Sequence, residues 1–102
     1  MLIFVNAYGS GVGRSKVILP LERIYDIWEI KNKLMINYDS GELVYVEGNY
    51  QKKIETLYVN YSSEEEVTKD LRKFYKACIA NAGAFYFDGN KSLDNKLLTE
   101  GW

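Results

Sequence analysis

The stretch Ser62–Gly83, SSEEEVTKDLRKFYKACIANAG, decides how the rest of the chain is read. Its apolar residues fall at Val67, Leu71, Phe74, Tyr75, Cys78, Ile79 and Ala82, a repeat of three or four positions that makes one stripe of an α-helix. The opposite side carries Glu65, Thr68, Lys69, Arg72, Lys73 and Lys76. The pattern predicts a helix over residues 63–82. Ser62 or Ser63 caps its first turn, with Glu65 or Glu66 reaching back as the second half of a capping box. Glu64, Glu65 and Glu66 complement the positive end of the helix dipole, and Lys73 and Lys76 lie toward the negative end. Gly83 is the predicted left-handed stop.

Outward from this helix the chain reads as strands. Residues 1–8 are apolar on both alternating sides, as in a strand covered on two faces. Lys16–Leu19 is a second short strand that Pro20 ends or places at an edge. A turn over residues 21–24 leads into a strand over residues 24–31, with Asn32-Lys33 as its turn. Leu34, Ile36 and Tyr38 share one side of the next strand, and Met35 and Asn37 the other. Asp39-Ser40-Gly41 is a predicted hairpin turn, with Gly41 suited to a left-handed position. Residues 43–46 continue the meander, Gly48-Asn49 breaks it, and residues 53–61 form the last strand before the helix. Ala84–Asp88 is a short aromatic strand returning to the sheet, and residues 91–102 are expected to form a short docked helix.

The predicted fold is therefore α+β in a single domain spanning residues 1–102: a curved antiparallel sheet of five to seven strands, a meander or partial barrel, packed against one long helix in the C-terminal half. Several strands are apolar on both sides, and one helix covers only one of them. Three arrangements resolve this. The sheet curls into a partial barrel, packs against a second copy, or keeps an aromatic surface for a partner.

Composition excludes several chemistries. The 102 residues hold no histidine and one cysteine, which removes the commonest general base, the usual metal ligand and any internal disulfide. No catalytic residue, metal site or cofactor is expected. No uncharged run approaches the roughly 20 apolar residues of a membrane span, so a cytoplasmic location is expected and a membrane partner is not. Thirteen basic against fourteen acidic residues give a net charge of -1, too little to draw the chain to nucleic acid as a whole. Abundant Lys, Asn, Ile and Tyr with one proline fit an A+T-rich genome, such as a low-GC bacterium or its phage.

The glycine loop Gly9-Ser10-Gly11-Val12-Gly13-Arg14-Ser15 has the look of a phosphate-binding loop but departs from that motif. Tyr8 stands at the first glycine position, Arg14 replaces the lysine, and a strand rather than a helix follows. A hairpin loop is the expected structure. Its backbone and the cations Arg14 and Lys16 still suit a polar ligand or an acidic protein surface. The candidate binding residues are Tyr8, Gly9, Ser10, Gly11, Gly13, Arg14, Lys16 and Trp28, with the strand tyrosines beside them. Acidic pairs such as Glu42 with Glu47 sit at turns, and Cys78 lies in the helix stripe as a small buried apolar residue.

No motif assigns the chain to a family. The expected role is a non-enzymatic small binding protein and homo-oligomer, acting through protein–protein contacts or sequestering a small polar ligand. An inhibitor of a host defence system carried by a phage or mobile element fits that description. The alternative is a nucleic-acid-binding regulator using the basic strip Lys69, Arg72, Lys73 and Lys76.

Overall fold

The computed structural model describes residues 1–9, 13–87 and 89. Among these, the chain runs through β1 (Leu2–Gly9), β2 (Gly13–Pro20), a 3-10 turn (Leu21–Arg23), β3 (Ile24–Ile30), β4 (Lys33–Val46), β5 (Asn49–Asn60), α1 (Glu64–Ile79) and β6 (Ala84–Phe87). The architecture is α+β, as the sequence predicts. The strand order is β2-β1-β5-β4-β3, all antiparallel, while β6 pairs with β1 in parallel. No pairing joins the outer strands β2 and β3 among the described residues, so the sheet is not closed into a barrel.

The branch at β1 explains its doubly apolar sequence. β2 takes one whole edge, from Leu2↔Pro20 to Gly9↔Gly13. On the other edge, β6 pairs with Leu2–Val5 and β5 only with Tyr8 and Gly9. Ile3 and Val5 are fully buried, and Phe4, one residue out of phase, stacks on Tyr86 at 4.5 Å between ring centroids. Both sides of β1 therefore carry packing, by different partners.

Helix α1 starts where its cap dictates. The Ser63 Oγ accepts from the Glu66 backbone N–H at 3.3 Å, satisfying one of the first-turn donors. The helix ends three residues before the predicted boundary, and Gly83 is not its stop. Asn81 takes the left-handed conformation (φ 56°) instead. The Ala82 N–H bonds the Ala77 carbonyl and the Asn81 N–H bonds the Cys78 carbonyl, the paired closure of a Schellman motif. Asparagine tolerates this region because its short polar side chain hydrogen-bonds locally.

The buried stripe is narrower than the apolar pattern. Val67 is fully buried and Leu71 and Phe74 pack against the core, each contributing about 1.5–3 kcal/mol in proportion to its burial. Tyr75 (67% exposed) and Ile79 (70% exposed) are not in the core, which corrects the stripe read from sequence. Each lies one residue, about 100° of helix rotation, beyond Phe74 and Cys78 and so turns off the sheet. Cys78 is only half-buried. In their place Asp70 is buried, its Oδ2 accepting from the Tyr61 hydroxyl at 2.7 Å.

Two turns also differ from the sequence reading. The turn between β3 and β4 is Lys31-Asn32, one residue earlier, with Lys31 at φ 52°. Asp39-Ser40-Gly41 is not a hairpin turn but a bulge inside β4, where the register jumps from Asp39↔Ile54 to Leu43↔Lys52. Gly41 does adopt positive φ (86°), as a bulge requires, and the Asp39 carboxylate accepts from the Gly41 N–H. The reversal comes later, at Glu47-Gly48, with both residues at positive φ. The predicted strand of Asp88 and the predicted tail helix 91–102 lie outside the described residues.

The Tyr61–Asp70 contact ties the residue after β5 to α1 through a buried carboxyl acceptor. Replacing Tyr61→Phe removes the donor while leaving the ring, and is expected to lower unfolding free energy by about 1–3 kcal/mol in urea titration, with the m-value unchanged.

Candidate binding surface

Strand pairing fixes which residues share a row across the sheet. Trp28 pairs with Met35, Met35 with Tyr58, Tyr58 with Tyr8, and Tyr8 with Arg14. Directly opposed residues of antiparallel strands lie on one face, so Trp28, Met35 and Tyr58 form a continuous row. Leu34, Ile36, Leu57 and Val59 are buried and alternate with this row, so it lies on the face opposite α1. Trp28 is 55% exposed there, and the Lys33 ammonium sits 5.3 Å from the centre of the Tyr58 ring.

A polar row runs alongside. The Asn37 amide donates to the Asp26 carboxylate at 2.6 Å and its oxygen accepts from the Thr56 hydroxyl at 2.6 Å. The face opposite α1 is thus striped, one apolar and aromatic row beside one hydrogen-bonded row. It is neither hydrophilic nor a continuous apolar patch.

Beyond the bulge, β4 and β5 continue as a two-stranded arm. β3 pairs with β4 only as far as Tyr38, and β1 with β5 only at Leu57 and Tyr58, so among the described residues 43–46 and 49–52 pair only with each other. The arm contributes to a molecule 46 Å along its longest axis and 27 Å along its shortest. Leu43 and Tyr45 (65% exposed each) and Tyr50 (73% exposed) lie on it, with Tyr45 and Tyr50 edge to face at 5.2 Å. Arg23 closes the sheet at the base of the arm, donating from Nε and Nη2 to the Asp39 carbonyl at 2.9 and 2.6 Å.

Under the arm's base, on the α1 side, the core ends at Tyr38. Its hydroxyl donates to Glu55 at 2.9 Å, and Lys53 bridges Glu55 and Glu42. Burial first, and then the hydrogen bond to the Glu55 carboxylate, push the Tyr38 phenol up to about 12.

The residues predicted from sequence are placed as follows. Tyr8 and Gly9 end β1, and Gly13, Arg14 and Lys16 open β2, with Gly9 paired to Gly13. A strand follows the loop, so no helix N-terminus faces it. Ser10 and Gly11 lie outside the described residues. Register brings Tyr8, Arg14 and Trp28 into one row; Lys16 falls in the neighbouring row, opposite Asn6. Of the acidic residues near the turns, Glu42 faces Lys53 at 3.4 Å and Asp39 faces Lys52 at 3.6 Å. Sequence reasoning reached Tyr58 only as one of the strand tyrosines and missed Met35, Lys33 and the arm. The alternation of Met35 against Leu34 and Ile36 was the available signal, but the register that aligns it with Trp28 and Tyr58 was not.

Among the described residues, no group of three His, Cys, Asp or Glu is arranged to hold a metal ion, and no helix is long and apolar enough to cross a membrane. Comparison with protein-family models, curated proteins and solved structures returns no match.

The raised phenol fixes a sign for alkaline stability. The folded state holds the Tyr38 proton more tightly than the unfolded chain, so its contribution is complete below pH 10 and is lost as pH rises toward 12. Unfolding midpoints are expected to fall over that window. Tyr38→Phe is expected to flatten the fall and to remove one late-titrating phenol from the ultraviolet absorbance titration.

Proposed function

We propose that this chain is a non-enzymatic binding module that docks a protein partner on the uncovered face of its sheet. The observation that carries the reading is the row linking Trp28, Met35 and Tyr58 to the backbone positions of Tyr8 and Arg14. An indole more than half exposed, flanked by a thioether and a tyrosine under a lysine, is the composition of an interface anchor rather than of a solvated strand. Lys33 over the Tyr58 ring and Lys16 on β2 favour an acidic rim on the partner. The proposed contact region is this row with the loop over residues 9–16, and the curvature of the sheet sets how a convex partner surface meets it. A chain of this size and chemistry suits an inhibitor that acts by occupying its target, such as one carried by a phage or mobile element against a host defence.

With a partner isolated from the native host and purified, Trp28→Ala is expected to raise Kd about thirty-fold or more, as an anchor does. The double variant Arg14→Ala/Lys16→Ala is expected to weaken binding and flatten its salt dependence. Unchanged affinity in both variants, with native circular dichroism, places the contact elsewhere.

One observation favours a second reading. Arg72, Lys73 and Lys76 are exposed on α1, and no ion pair engages them among the described residues. A nucleic-acid regulator using this strip would lose affinity steeply with salt, and Lys73→Ala would reduce the slope of log K against log salt by about one.

A further inference from the structure

The strand edges of the sheet are not equally protected. A free edge presents unpaired N–H and C=O groups, and proteins guard such edges with charges, proline, bulges or brevity. β2 carries Arg14, Lys16 and Pro20 along its outer edge. β3 carries Asp26 and Glu29 and is bulged between Ile24 and Asp26. β6 is four residues long, with Phe74 of α1 packed on Phe85 and Phe87. On the arm, the β5 edge carries Lys52 and Lys53. The β4 edge of the arm is different: Leu43-Val44-Tyr45-Val46 contains no charge, proline or glycine, and its residues are β-branched, aromatic or aliphatic. The bulge at residues 39–43 and the Arg23 bond to the Asp39 carbonyl end the β3–β4 ladder below this run, so among the described residues no strand pairs with it.

We infer that the Leu43–Val46 edge pairs with the same edge of a second copy, antiparallel about a two-fold axis centred on Val44, joining two sheets into one. The inference stands apart from the proposed partner surface, because it uses the arm's edge and not the Trp28 row. Charge pattern selects the occupant. Pairing two β5 edges would set the lysines at 52 and 53 against their counterparts, a destabilising arrangement of like charges. Centring on Val44 sets Leu43 opposite Tyr45 twice and Glu42 opposite Val46, so no like charges face each other. Because an antiparallel pair keeps opposed residues on one face, Leu43 and Tyr45 of both copies then form one cluster with Tyr50, which is 73% exposed in the single chain. The symmetric arrangement closes at two copies and leaves no further β4 edge to propagate. Four residues of edge make a small interface, at the weak end of specific association, so a dissociation constant in the micromolar range is expected.

Sedimentation velocity from about 1 to 200 μM brackets that range and tests the dimer. The full chain is expected to pass from 11.8 kDa toward twice that mass as concentration rises. Val44→Lys puts two ammonium groups on the axis and is expected to raise the dissociation constant about tenfold or more, with the circular dichroism of the monomer intact. In a Cys78→Ser background, mild oxidation of Val44→Cys is expected to give a disulfide-linked dimer, and Gln51→Cys on the arm's far edge is expected to stay monomeric. This cross-linking pair decides the matter even if Val44→Lys fails to fold. A chain that stays monomeric at 200 μM overturns the inference. So does a dimer that survives Val44→Lys, or one in which Gln51→Cys cross-links as readily as Val44→Cys.

Discussion

The seating of α1 on one face of the sheet is the contact on which the other features depend. Val67, Leu71 and Phe74 meet a core built from Ile3, Val5, Leu34, Ile36 and Val59, and that layer excludes water from one side of the strands. A helix presents one stripe, about a third of its circumference, so it can dry one face and no more. Since the sheet does not close, the opposite face and the far half of the β4–β5 hairpin remain outside the core. The surfaces proposed for binding and for self-association both follow from this shortage of cover.

The second organising feature is the fork at β1. Its edge is shared by β6 over Leu2–Val5 and by β5 at Tyr8 and Gly9, so the chain after the helix is held by backbone pairing and by the Phe74, Phe85 and Phe87 ring cluster together. Between the two partners sits Asn6, buried, with its amide nitrogen unpaired among the described residues.

Polar contacts define where the core stops. Tyr38 with Glu55 and Lys53, and Arg23 with the Asp39 carbonyl, form a boundary across the base of the arm. On one side lie fully buried aliphatic residues; on the other, strands that depend on each other and on Tyr45 against Tyr50. A two-stranded ribbon in water is marginal by itself, so further pairing or docking would add most to stability there.

Local chemistry carried the helix, its serine cap, the rough position of the strands, and the return of residues 84–87 to the sheet. These are properties of spacing and of short-range hydrogen bonding, which the order of residues encodes directly. Within the candidate site, Trp28, Arg14 and Tyr8 could be named, but nothing local placed them in one row. That alignment depends on strand register and order, which are set by contacts between residues far apart in the chain. The same holds for Asp39-Ser40-Gly41. Its residues suit a turn and a bulge equally, and only the pairing of Leu43–Val46 with Asn49–Lys52 decided for the bulge and produced the arm. The exposure of Tyr75 and Ile79 was likewise decided by the limited width of the surface beneath α1, because periodicity marks the apolar arc of a helix but not how much of that arc the tertiary structure has room to bury.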